Sequence, residues 1–169
     1  SITSPLRVYE KRARTYRAGL SGEIFFENWS RGINAETRSI YFRRGQNARR
    51  MRSYWLFKEF TSNTMFGSYI PTNLSAGAQE LETMTFQKGN SVTIWVMNRG
   101  QGEVQSMNFH LEGGSLSSRQ KIDHKLWSDS VTDPRGKDAE HAPQSPSRFE
   151  IDIPAESISR IIFQVEGAD

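Results

Sequence analysis

The sequence predicts an α+β protein in which an antiparallel β-sandwich follows a segment of helix and strand. Three observations carry that expectation. In Phe149 to Val165, Phe149, Ile151 and Ile153 alternate with Glu150 and Asp152, then Ile161, Phe163 and Val165 resume after Pro154. This is the two-residue period of strands with one apolar face, interrupted where proline has no N–H to pair. Ser91 to Asn98 shows the same period, with Val92, Ile94 and Val96 on one face and Thr93, Trp95 and Met97 on the other. The third observation is a change of character along the chain. Residues 1–60 hold 13 Lys and Arg against 5 Asp and Glu, net +8, whereas residues 61–169 hold 9 against 14, net −5. The overall +3 conceals two unlike segments, expected to divide as 1–72 and 73–169.

Taken in order, residues 5–18 read as a basic amphipathic helix. Leu6, Val8, Tyr9, Ala13 and Tyr16 face inward, with Ser4 as N-cap, Pro5 in the first turn and Gly19 as the stop. Its Arg and Lys side chains are expected to be solvated. Ile24-Phe25-Phe26 is a continuous apolar run, as in a strand covered on both faces, and it ends in Glu27, Asn28 and Trp29. Gln46 to Phe60 reads as a second helix with Met51, Trp55 and Leu56 inward. Its approach and first half carry Arg43, Arg44, Arg49, Arg50 and Arg52. Thr61 to Ser75 is a polar connector. Strands follow at Leu81–Phe86, Ser91–Asn98, Glu103–Leu111 and 118–127, and Ser128 to Ser147 reads as a long exposed loop.

The composition excludes several classes. With 36% hydrophobic and 24% charged residues the chain is globular, and it has no apolar run long enough to span a membrane. The start, SITSPLRVYEKRAR, lacks the apolar stretch of a signal peptide, so a cytosolic chain or a trimmed piece of a longer one is expected. There is no Cys, and His110, His124 and His141 lack ligand spacing, so no metal and no cofactor are expected. No phosphate-binding glycine loop is present.

SVTIWVMNRG, a second strand, a Pro- and Asp-rich loop and FEIDIPAESISRIIFQV together resemble the C-terminal β-sandwich of barrel-type glycoside hydrolases. Agarases, xylanases and glucosylceramidase-like enzymes are the relevant group. IFFENW followed by RRMRSYWLFKEF resembles the last strand and helix of their (β/α)8 barrel. Such a barrel needs about 250 residues, so the resemblance implies a C-terminal portion. It also implies a polysaccharide or oligosaccharide partner, the remainder of a catalytic barrel, and a secreted or periplasmic location.

The same resemblance assigns candidate sites. Glu27 would be the catalytic nucleophile if IFFENW were the seventh barrel strand, and would line the site if it were the eighth. The short interval between Trp29 and Ile40 favours the eighth. Trp29 and Asn28 at the strand exit are candidate substrate contacts, since an indole stacks on the apolar face of a sugar. Trp95 and Trp127 are candidate platforms as well, with plain packing favoured for Trp95. One strand cannot bring two carboxylates together, so the chain alone is expected to lack a complete catalytic pair. The alternatives are a stand-alone carbohydrate-binding module and a basic nucleic-acid-binding protein using residues 38–54. The second is disfavoured, because no recognised motif accompanies the arginines.

Overall fold

A computed structural model describes residues 2–19, 29–30, 40–41, 49–74, 80–101, 104–117 and 119–166. The chain opens with helix α1 (Thr3–Arg17). Three two-residue strands follow, β1 (Trp29–Ser30), β2 (Ile40–Tyr41) and β3 (Arg49–Arg50), then helix α2 (Arg52–Thr64). Eight further strands complete it: β4 (Ser68–Ile70), β5 (Leu81–Lys88), β6 (Ser91–Asn98), β7 (Gln105–His110), β8 (Ile122–Ser128), β9 (Lys137–His141), β10 (Arg148–Ile153) and β11 (Ser157–Gln164). The predicted α+β class and antiparallel sandwich are what the structure shows.

The main sheet has six antiparallel strands in the order β4-β5-β6-β11-β8-β9. Strands β10 and β7 form a separate antiparallel pair. The alternation of β6 explains the layering. Val92, Ile94 and Val96 join Phe149, Ile151 and Ile153 of β10 in one core, between the six-stranded sheet and the β7–β10 pair. Trp95 and Met97, on the opposite face, join Leu6, Tyr9 and Ala13 of α1 and Leu56 and Phe60 of α2 in a second core. The sheet is therefore covered on both sides, by helices on one and by a strand pair on the other.

The Pro154 turn links two sheets rather than two strands of one. β10 leaves the small pair and β11 enters the centre of the main sheet, between β6 and β8. Buried Asn98 clamps the crossing: its side-chain amide donates to the Ile153 and Pro154 carbonyls at 3.1 and 3.0 Å, and its carbonyl oxygen accepts from Gly100 N–H at 2.8 Å. The Ser157 hydroxyl donates to the Pro154 carbonyl at 2.6 Å.

Four sequence expectations are corrected in detail. Helix α1 begins at Thr3, so Ser4 lies within it, and Ile2 at the N-cap makes no side-chain cap; its backbone N–H donates instead to Asp129 at 2.6 Å. Arg12 of that helix is not solvated but buried, its guanidinium over the Tyr9 and Phe60 rings. Helix α2 starts six residues later than expected and runs on to Thr64; Leu56, Phe60 and Thr64 are its buried residues, while Met51 and Trp55 remain partly exposed. Two segments read as coil contribute edge strands, β4 and β9. Edge strands have one neighbour and one open flank, so polar sequences such as Lys137-Asp-Ala-Glu-His suffice for them.

Candidate functional site

The residues singled out from the sequence fare differently. Glu27 and Asn28 lie outside the described residues. Trp29 opens β1, where its backbone pairs in parallel with Ile40 of β2. The join between these strands is shorter than the dozen or so residues a helical crossover takes. Trp95 and Trp127 are both fully buried. Their rings stack on each other at 6.0 Å, and Trp95 also meets Tyr9 at 5.4 Å and Phe60 at 5.7 Å. An indole enclosed in this way has no face to offer a sugar: Trp95 packs in the core, the reading favoured for it from the sequence, and the open alternative at Trp127 resolves to core packing as well. The cause is the helical layer: α1 and α2 occupy the side of the sheet onto which both tryptophans project.

A different feature emerges where β8 and β9 meet the outer side of β10. A cleft of about 460 Å³ is lined by His124 and Leu126 of β8, Lys137, Ala139 and His141 of β9, Gln144, and Glu150 and Asp152 of β10. The period of β8 places His124 and Leu126 on the face of buried Ile122, and the register sets His124 opposite Ala139. His124 uses both ring nitrogens. Its Nδ1 is 3.1 Å from Nε2 of His141, and its Nε2 is 3.0 Å from the Ser159 hydroxyl. Burial, with neighbouring His141 and Arg160, pushes its pKa down to about 4, so the ring is neutral and the chain of contacts fixes the position of half-exposed His141.

Across the cleft, Glu150 accepts from the Ser106 hydroxyl and from the Gln144 amide. These donors hold its carboxyl below the usual carboxylate range. Donors (Lys137), acceptors (Glu150, Asp152) and two small apolar surfaces (Leu126, Ala139) thus share one recess. This mixture suits a polyhydroxylated ligand, whose C–H faces and hydroxyls need both kinds of partner. The Ser159 hydroxyl beside His124 is fully buried and so is closed to a ligand in the cleft. Among the described residues no three His, Asp or Glu side chains converge to hold a metal ion. Sequence reading missed this recess because three of its eight lining residues belong to β9, a strand without apolar alternation. The available signal was the pair of histidines, one on each of two neighbouring strands.

No protein-family model matches the sequence, and no curated protein does. Solved structures do match in fold. Against the GH30 endoxylanase from Clostridium papyrosolvens C71 the TM-score is 0.55 at 15% identity, covering 67% of this chain and 28% of that one. Against an arabinose-bound MgGH51 α-L-arabinofuranosidase it is 0.56 at 20% identity, covering 76% and 21%. Against the GH51 α-L-arabinofuranosidase from Thermotoga petrophila RKU-1 it is 0.52 at 12% identity, covering 76% and 32%. The chain spans less than a third of each of these proteins. It resembles, in fold, a part of glycoside hydrolases.

Proposed function

We propose that this chain is the C-terminal portion of a polysaccharide-degrading glycoside hydrolase, where it supports the catalytic barrel and contacts glycan. The observation that carries the reading is the asymmetry of the structural likeness. Two thirds to three quarters of this chain superposes on only 21–32% of three glycoside hydrolase chains. In this reading residues 1–72 stand for the end of the barrel and 73–169 for the sandwich, and Glu27, Asn28 and Trp29 lie at the glycan-facing end of the last barrel strand. Glu27 lines that site rather than acting as the nucleophile. The stand-alone binding module loses two of the tryptophans it would use, both enclosed in the core.

The test is an activity assay on the purified chain with xylan, arabinoxylan and agarose. No turnover is expected, because retaining hydrolysis needs two carboxyl groups roughly 5 Å apart, contributed by different strands. Robust turnover that Glu27→Gln abolishes would overturn the supporting role and make Glu27 catalytic.

A further inference from the structure

On the outer side of α2, three cationic side chains converge on one partly exposed indole. The Arg50 guanidinium lies 5.8 Å from the Trp55 ring centre, the Lys58 ammonium 5.3 Å and the Arg135 guanidinium 5.3 Å. Arg50 also lies 5.1 Å from the Tyr54 ring, which meets Trp55 edge-on at 5.1 Å. The three cations come from two separate parts of the chain. Arg50 and Lys58 flank the first two turns of α2, and Arg135 sits on the turn between β8 and β9. That turn is built rather than loose. Asp133 accepts from the Arg135 backbone N–H at 2.8 Å, and Gly136, at φ +91°, lies close against the Trp127 ring, where a Cβ would come within 2.7 Å of it.

Several basic side chains of the helices and the sheet are neutralised: Arg14 and Arg17 by Glu82, Arg52 by Asp129, Arg99 by Glu10, Lys125 by Glu59, and Arg160 by Glu59 and Asp123. Among the described residues, Arg50, Lys58 and Arg135 have no such partner. Each lies against the indole, and Arg50 against the Tyr54 ring as well, a weaker attraction than an ion pair. Three like charges, each within 5.8 Å of one ring centre, repel one another. The first turn of α2 contains no acidic residue, which leaves the same sign of charge at that end of the helix.

We propose that Arg50, Lys58 and Arg135, gathered on Trp55, form a subsite for an anionic polysaccharide, one bearing carboxylate or sulfate groups along its chain. The glycan identity of the ligand rests on the proposed function above; the negative charge rests on the cluster itself. Guanidinium groups bind carboxylate and sulfate oxygens through paired N–H donors. Nucleic acid is the less suitable anion. Base stacking requires open aromatic faces, and the faces of Tyr54 and Trp55 are already engaged by cations.

The experiment is a set of titrations of the purified chain, followed by Trp fluorescence and calorimetry at low and high salt. The probes are oligogalacturonate, a sulfated galactan oligosaccharide, neutral xylohexaose and single-stranded oligo(U). The variants are Arg50→Gln, Arg135→Gln and the triple change Arg50→Gln, Lys58→Gln, Arg135→Gln. All three positions lie on the surface, and thermal melts confirm that the variants fold. At least one anionic oligosaccharide is expected to bind, more weakly as salt rises, with roughly tenfold loss for each arginine removed. Unchanged anionic binding in the triple variant would overturn the site. Tighter binding of oligo(U) than of either anionic glycan, lost in the triple variant, would overturn the glycan assignment. Binding of xylohexaose alone, unaltered in the triple variant, would remove this subsite and leave the proposed function standing. Failure of that function would show separately, in the activity assay on the chain.

Discussion

His124 is a residue whose protonation the fold opposes. It lies 4% exposed between β8 and β11, with its pKa pushed down to about 4 by burial first, then by His141 and Arg160. In the unfolded chain it returns to about 6.5. Between those values the unfolded state binds more protons than the folded one, so stability is complete above pH 6.5 and falls as pH drops toward 4. The full effect is on the order of 3 kcal/mol. Urea denaturation of the wild type is expected to show this loss between pH 7 and 4. His124→Asn, which cannot titrate, should be less stable at pH 7 yet flatter across that window. An equal slope in both proteins would show that His124 is not the group responsible. Glu59 acts lower on the scale. Burial alone would raise its pKa, but Lys125 and Arg160 outweigh burial and hold it down, so its contribution is present above about pH 4.5 and lost below.

At the scale of elements, Glu59 ties α2 to the sheet. It is the charged residue on a helix face otherwise given to Leu56 and Phe60. Its two oxygens meet Lys125 of β8 at 3.1 Å and Arg160 of β11 at 2.5 Å. Arg160 is 5% exposed and reaches Asp123 as well. Glu59→Ala leaves that buried guanidinium short of a partner, and the expected cost is about 3 kcal/mol. Replacing both partners, Glu59→Leu with Arg160→Met, is expected to recover most of the loss, since apolar side chains of similar size avoid desolvating charge. Chemical denaturation of the single and double variants checks this, and a double variant no better than Glu59→Ala would contradict it.

The same elements show what was legible in the sequence. Strand β6 was readable residue by residue because its period is unbroken and both of its faces are apolar. Strand β10 was readable because one of its faces is polar. The β9 strand was not, since an edge strand pairs through its backbone and asks little of its side chains. Trp95 shows the limit at a site. Alternation placed it on the face opposite Val92, Ile94 and Val96, but only the docking of α1 and α2 decides whether that face meets solvent. The Trp55 cluster was half visible, as arginines near a helix rich in aromatic residues. Arg135 joins it through a turn some eighty residues on, which no local pattern reveals.

For the whole molecule, one sheet carries a core on each face, and the helical layer is joined to it by both apolar contact and ion pairs. This gives α1 and α2, the helices of the basic first third of the chain, a seat on the sheet. Its charge complementarity is visible in the pairing of Arg14 and Arg17 of α1 with Glu82 of β5. In the function proposed above, this chain completes a larger glycan-degrading enzyme. The most direct measurement is the coding sequence upstream of Ser1, followed by assay of the full encoded polypeptide. A series of βα units ahead of Ser1 is expected, on the order of 200 residues, with polysaccharide hydrolysis that stops when residues 73–169 are removed. A reading frame that opens at or just before Ser1, or a longer product with no action on any polysaccharide, would contradict it.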